Sequence, residues 1–160
     1  MAFQTTTLTS AEYETKTLEQ RVFEWTEDYC EALAENYKRY HKRMITANSN
    51  YFEGELSKYA KDQLAALEDG TAKLMRFRVQ TGKKYHKIIQ QDFDTFRDRN
   101  EYRDGSVHAF INKKTGEVFK PASWRSPAKH VRYDLRIIKE REYILDPNNC
   151  GWAGGYLYMR

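Results

Sequence analysis

Lys73-Leu74-Met75-Arg76-Phe77-Arg78-Val79 alternates apolar and polar residues. In an extended chain Met75, Phe77 and Val79 share one side, and Arg76 and Arg78 share the other. Thr81-Gly82 marks a turn, and Tyr85-His86-Lys87-Ile88-Ile89-Gln90 reads as the return strand. A hairpin with one apolar face needs cover from another element. The residues before it have the period to supply that cover.

Leu18, Val22, Trp25, Tyr29, Leu33, Tyr37, Tyr40 and Met44 recur at steps of three and four, which is one face of a long helix. Thr9, Ser10 and Thr15 are its candidate caps. Glu19, Glu24, Glu27, Asp28, Glu31 and Glu35 fill the first part of its outer surface. Lys38, Arg39, Lys42 and Arg43 fill the last part, an order that complements the helix dipole. Asn48-Ser49-Asn50 breaks the pattern. Phe52, Leu56, Tyr59, Ala60, Gln63, Leu64 and Leu67 then mark a second helix closed by Asp69-Gly70. A short connection favours an antiparallel pair. The long stripe is also the minimum length for a seam between two copies, so residues 18–44 are a candidate homo-oligomer contact.

Beyond the first hairpin, Asp92 to Gly105 reads as a polar connection with a helical turn around Phe93–Arg99. Ser106 to Ile111, Asn112-Lys113-Lys114-Thr115-Gly116 and Glu117 to Lys120 make a second hairpin. Trp124-Arg125-Ser126-Pro127 is read as opening a short helix over Ala128–Tyr133. Leu135–Ile138 and Tyr143–Leu145 stay open between strand and helix. The aromatic tail from Gly151 is expected to pack. The expected fold is α+β: an N-terminal helical hairpin packed on a small antiparallel sheet, with Leu33 and Leu56 touching it. One domain is expected over 1–160, with a helical part at 1–70 and a basic, β-rich part at 71–160.

The 160 residues are 40% hydrophobic and 31% charged, which excludes wholesale disorder. No apolar run approaches the roughly 20 residues that span a bilayer. The start, Met1-Ala2-Phe3-Gln4, lacks a basic, then apolar, leader, so a cytoplasmic protein is expected. Cys30 and Cys150 stand far apart, with no Cys-x-x-Cys pair, so neither a disulfide nor zinc is expected. Residues 1–70 carry 8 Lys and Arg against 13 Asp and Glu, a net of −5. Residues 71–160 carry 19 against 10, a net of +9. Either acidic helices dock on basic strands, or both faces are simply solvated, or the second half meets a polyanion.

Catalytic signatures are missing. His86 and His108 fall on neighbouring strands and could meet, without a fixed acid or thiol beside them. No Gly-x-Ser-x-Gly turn or phosphate-cradling Gly-x-x-x-x-Gly-Lys loop occurs. No metal, cofactor or covalent catalysis is therefore expected. The candidate contact surface is basic and aromatic. Arg76 and Arg78 share a strand face. Lys83, Lys84, Tyr85 and Lys87 surround a turn, and Lys113 and Lys114 tip the second hairpin. Trp124, Arg125, Lys129, Arg132 and Tyr133 follow. Such cations neutralise phosphates, and such rings stack on bases. The competing surface is the helical stripe with Trp25, Tyr29, Tyr37 and Tyr40, since aromatics dominate protein-binding hot spots.

Lys114 to Arg132, with its Ala122-Ser123-Trp124 and Pro127-Ala128-Lys129, resembles small uncharacterised proteins of tailed bacteriophages, including marine and cyanobacterial phages. Gly154-Gly155-Tyr156-Leu157 is similar to their tail. The resemblance covers roughly residues 72–160. It leaves out the helical half, as a lineage-specific addition would. It implies a phage origin and a bacterial host cytoplasm, and carries no activity. The expected function is a non-enzymatic accessory protein binding a host or phage macromolecule, a protein first. Nucleic-acid or nucleotide binding is the alternative, followed by an enzyme with an unrecognised site.

Overall fold

The computed structural model describes residues 16–48 and 55–159. The order is α1 (Leu18–Asn48), α2 (Lys58–Asp69), β1 (Arg76–Thr81), β2 (Tyr85–Asp94), β3 (Glu101–Asn112), β4 (Glu117–Phe119), β5 (Tyr133–Asp134) and α3 (Ile138–Ile144). The five strands form one antiparallel sheet in the order β1-β2-β3-β4-β5. The helical hairpin on an antiparallel sheet is as the periodicities predict.

Thr17 and Gln20 start α1 as a reciprocal cap. The Gln20 N–H bonds Thr17 Oγ1 at 3.2 Å, and the Thr17 N–H bonds Gln20 Oε1 at 2.9 Å. The candidate caps Thr9, Ser10 and Thr15 lie outside the described residues. Val22, Tyr29 and Leu33 are fully buried against Phe77, Ile88, Ala109 and Ile111. The centre of the stripe is thus core, and unavailable as a seam for a second copy. Tyr37 and Tyr40 close on Trp152 of the tail, with ring centroids 5.2 and 5.1 Å away. The basic residues at 38–43 stop short of the last turn, which holds none, so they lie beyond the reach of the helix dipole.

α2 begins two residues after Leu56, because Ser57 caps it by accepting from the Ala60 N–H at 3.2 Å. Ala60 and Leu67 are buried, and α2 lies chiefly against α1. Leu56 is half-buried and is not among the apolar residues packed on the core, so its expected sheet contact is corrected. Phe52 lies outside the described residues.

The polar connection at 92–105 is mostly strand. Asp92 pairs with Arg103, Phe93 with Tyr102 and Asp94 with Glu101, around a 3-10 turn at Phe96–Asp98. Asp94 bridges Arg99 and Arg103 there, so charges replace the apolar alternation that would have shown a strand. The expected helix at 128–133 is absent. Pro121 bridges Pro127, the Ala128 N–H bonds the Lys120 carbonyl at 2.9 Å, and Tyr133 joins Val118 as the fifth strand. Leu135 lies in a turn, and Ile138 begins α3. Gly116, at φ +77, closes the β3–β4 turn; a Cβ there would stand 3.3 Å from both Leu135 and Val22.

A bulge in β3 sets the centre of the core. Ile88 pairs with Ala109 and Ile89 with Val107, so His108 is the extra residue. The bulge turns its ring to the helix side, where it is buried and hydrogen-bonds the Tyr156 hydroxyl at 2.8 Å. That hydroxyl also bonds the Tyr29 hydroxyl of α1. Removing the Tyr29 oxygen leaves Tyr156 still paired with His108; removing the Tyr156 oxygen strands two buried groups. Urea unfolding should therefore show Tyr29→Phe costing about 1 kcal/mol and Tyr156→Phe roughly 2–4 kcal/mol. Equal losses would refute this arrangement.

Candidate nucleic-acid interface

With the helices on one face, the other face of the sheet takes its cover from the segment after β4. Ile89 and Phe110 are buried there, although neither belongs to the main core. Tyr85 meets Phe110 and Phe119 edge-on, at 5.8 and 6.0 Å between centroids. The loop between Pro121 and Pro127 rises beside them. Its Ser123 Oγ accepts from the Arg125 and Ser126 N–H groups, both at 3.2 Å, and the Ala122 N–H bonds the Ser126 carbonyl at 3.0 Å. These bonds fix Trp124 and Arg125 at the loop's tip.

Opposite stands the β1–β2 turn. The Gly82 N–H bonds the Tyr85 carbonyl at 2.9 Å. Lys113 clamps the turn twice, from its N–H to the Lys84 carbonyl at 3.1 Å and from Nζ to the Gly82 carbonyl at 3.0 Å. Between turn and loop lies a cleft of about 260 Å³. Lys83, Lys84, Lys87 and Arg125 line it, with Tyr85 and Phe110, and no carboxylate does. Lys87 Nζ sits 4.8 Å from the Trp124 ring centroid and 5.6 Å from that of Phe110. Lys84 Nζ lies 5.4 Å from the Tyr85 ring. Rings hold these ammonium groups in place without cancelling their charge.

Other sequence candidates separate from this group. Arg78 grips Asp104 through a bond of 2.8 Å from Nε, and Gln91 donates to the same carboxylate at 2.9 Å. These two partners hold the Asp104 carboxyl down at about 2. Arg76 bonds Gln91 at 2.8 Å and lies 3.7 Å from the Tyr102 ring centroid. Both arginines thus serve the sheet. Lys114 and Lys129 are exposed but do not line the cleft, and Arg132 is half-buried. Tyr133 is core: 5% exposed and stacked on Tyr143 at 5.7 Å. Phe110, the floor of the cleft, was missed. Its signal was an apolar residue directly opposite Lys87 on the outward side of the hairpin.

The model of the Family of unknown function (DUF7717) matches residues 6–159. The chain belongs to that family. The DUF7717 match spans both halves, so the helical half is part of the family's common chain and not a local addition. No curated protein and no solved structure matches it.

No histidine of this DUF7717 chain lines the cleft. His86 pairs with Ile111, bonds Thr81 Oγ1 at 2.9 Å and meets the Phe23 ring. His108 sits between Tyr156 and a backbone hydrogen bond to Trp152. That second bond favours the protonated ring, so its acceptor is the carbonyl. The neutral ring then accepts from Tyr156 through Nε2. Burial lowers the His108 pKa from 6.5 to about 4 despite this bond. The unfolded chain therefore binds an extra proton between these values, and stability must fall as pH falls from 6.5 to 4. The loss should reach roughly 3 kcal/mol, at 1.36 kcal/mol per unit. Denaturant unfolding at both ends of that window checks it. His108→Gln should flatten the slope; an unchanged slope would assign the loss to other groups.

Proposed function

We propose that this chain is a non-enzymatic accessory protein that binds nucleic acid through the cleft on the outer face of its sheet. The observation that carries this reading is the convergence of Lys83, Lys84, Lys87 and Arg125 around aromatic side chains with no carboxylate lining the space. Lysines placed for solubility scatter and alternate with acids. Here two separate segments, the β1–β2 turn and the 121–127 loop, bring theirs to one concavity. Phosphate neutralisation by such a group releases counterions, which makes affinity fall steeply with salt. The resemblance of residues 114–132 to tailed-phage proteins supports an infected bacterial cytoplasm as the setting.

A second reading, a protein partner, has its own observation. Ile137, Ile138, Tyr143, Tyr158 and Met159 are exposed around α3 and the tail, Met159 at 86%. Exposed apolar residues in one region are a recurring mark of protein contacts. The helical stripe gives this reading less support, since its Tyr29 is core and its Tyr37 and Tyr40 pack on Trp152.

Titrating a labelled oligonucleotide at several salt concentrations separates the two. Replacing Lys83, Lys84 and Lys87 by Gln should weaken binding to every sequence and shrink the salt slope by about one per lysine that meets a phosphate. A slope unchanged by the triple variant would refute the cleft as the site. Nuclease-resistant capture of one host protein, lost in Ile138→Asp, would favour the protein reading.

A further inference from the structure

We propose that the cleft accepts single-stranded rather than duplex nucleic acid, with one unpaired base stacked on Trp124 and the flanking phosphates held by Lys83, Lys84 and Arg125. This inference rests on the nucleic-acid reading above and narrows it to one class of ligand.

The first ground is where the rings are. Tyr85 is half-buried and Phe110 only 2% exposed, and the two meet edge-on. They form a floor and offer no open face. Trp124 is different: it is 44% exposed, at the tip of a loop. The Lys87 ammonium stands over its ring at 4.8 Å. At that exposure the indole keeps open surface on which one base can stack. A base in a duplex has both faces inside the stack and cannot be reached in this way without being flipped out.

The second ground is shape. Proteins that read the major groove insert a helix or a β-ribbon into it. Here the cationic surface is concave, and α1, with α2 packed on it, lies against the opposite side of the sheet. A concavity with an aromatic at its rim and cations along its walls suits a flexible strand. The third ground is size. The cleft's 260 Å³ falls below the roughly 300–1,000 Å³ of sites that enclose a whole small ligand. It fits part of a chain whose remainder lies outside, rather than a free nucleotide.

The fourth ground is rigidity. The bridge between Pro121 and Pro127 closes the loop, and the Ser123 hydroxyl ties the N–H groups of Arg125 and Ser126. The loop's backbone is therefore ordered before binding, which lowers the entropy lost on association.

The test compares a labelled oligothymidylate, a duplex of the same length and thymidine monophosphate, by anisotropy and competition, in the full chain. The single strand should bind at least ~10-fold more tightly than the duplex, and Trp124→Ala should lose ~10-fold on the single strand with little change on the duplex. Trp124→Phe keeps a stacking face and should retain most of the affinity, which separates stacking from loop collapse. Equal affinity for duplex and single strand, with Trp124→Ala neutral, would overturn this inference and leave the nucleic-acid reading standing. Monophosphate competing as well as the oligomer would overturn the chain-ligand part. Absence of salt-dependent binding to either polymer would overturn both.

Discussion

The Tyr156 hydroxyl is the point at which three parts of the chain meet. It bonds Tyr29 of α1 on one side and His108 of β3 on the other, and Tyr156 itself belongs to the C-terminal tail. All three groups are nearly or fully buried. A buried hydroxyl or imidazole without a partner costs about 1–3 kcal/mol, so each member constrains the others. The helix cannot slide along the sheet, the bulge cannot shift register and the tail cannot lift away without stranding polar atoms. Two more bonds reinforce the same junction. Asn36 Nδ2 donates to the Pro147 carbonyl at 2.7 Å, and the Trp152 N–H donates to Asn36 Oδ1 at 2.9 Å. Burial pushes the thiols of Cys30 and Cys150 up to about 12, which keeps them as unreactive filling in this core.

That junction determines where the cleft lies. The helices and the tail fill one face of the sheet. The other face carries Ile89, Phe110 and Phe119, too apolar to stand in water, so the 121–127 loop folds beside them. A loop of this length covers part of a sheet and leaves a gap next to the β1–β2 turn. The cleft is this gap, and its cations come from the two segments that border it. The same packing problem therefore accounts for both the loop and the site.

The parts legible in sequence were those with one wet and one dry face. The stripe through Val22, Tyr29 and Leu33 and the alternation through Phe77 and Val79 both announced their elements. The strand at 92–94 and 101–104 did not, because ion pairs and an aromatic pair hold it and its residues do not alternate. β5 was illegible for another reason: two residues carry no period, and Tyr133 owes its strand to pairing with Val118. Tyr133 was grouped with the surface because the cations Lys129 and Arg132 precede it. His108 shows the limit most clearly. Strict alternation from Ile111 and Ala109 would point it outward, and one extra residue in β3 reverses that. For the site, Lys83, Lys84, Tyr85, Lys87, Trp124 and Arg125 were readable as types. Their separation from Arg76, Arg78 and Tyr133 depended on register and on Asp104.

The charge asymmetry of the chain takes a specific spatial form. Among the described residues, Lys16 pairs with Glu24 and Arg39 with Glu35 within the helical half, and Arg78 pairs with Asp104 within the sheet. Between helix and sheet lie the apolar contacts of Val22, Tyr29 and Leu33 with Phe77, Ile88, Ala109 and Ile111. Glu27 and Glu31 remain on the solvent side of α1. Partial burial and the nearby carboxylates of Glu31, Glu24 and Glu27 raise the pKa of Asp28, a sign of concentrated negative potential there. The cationic cleft lies across the sheet from this surface. On the nucleic-acid reading proposed above, a polyanion would be repelled from one side and attracted to the other, which would orient its backbone toward the sheet face.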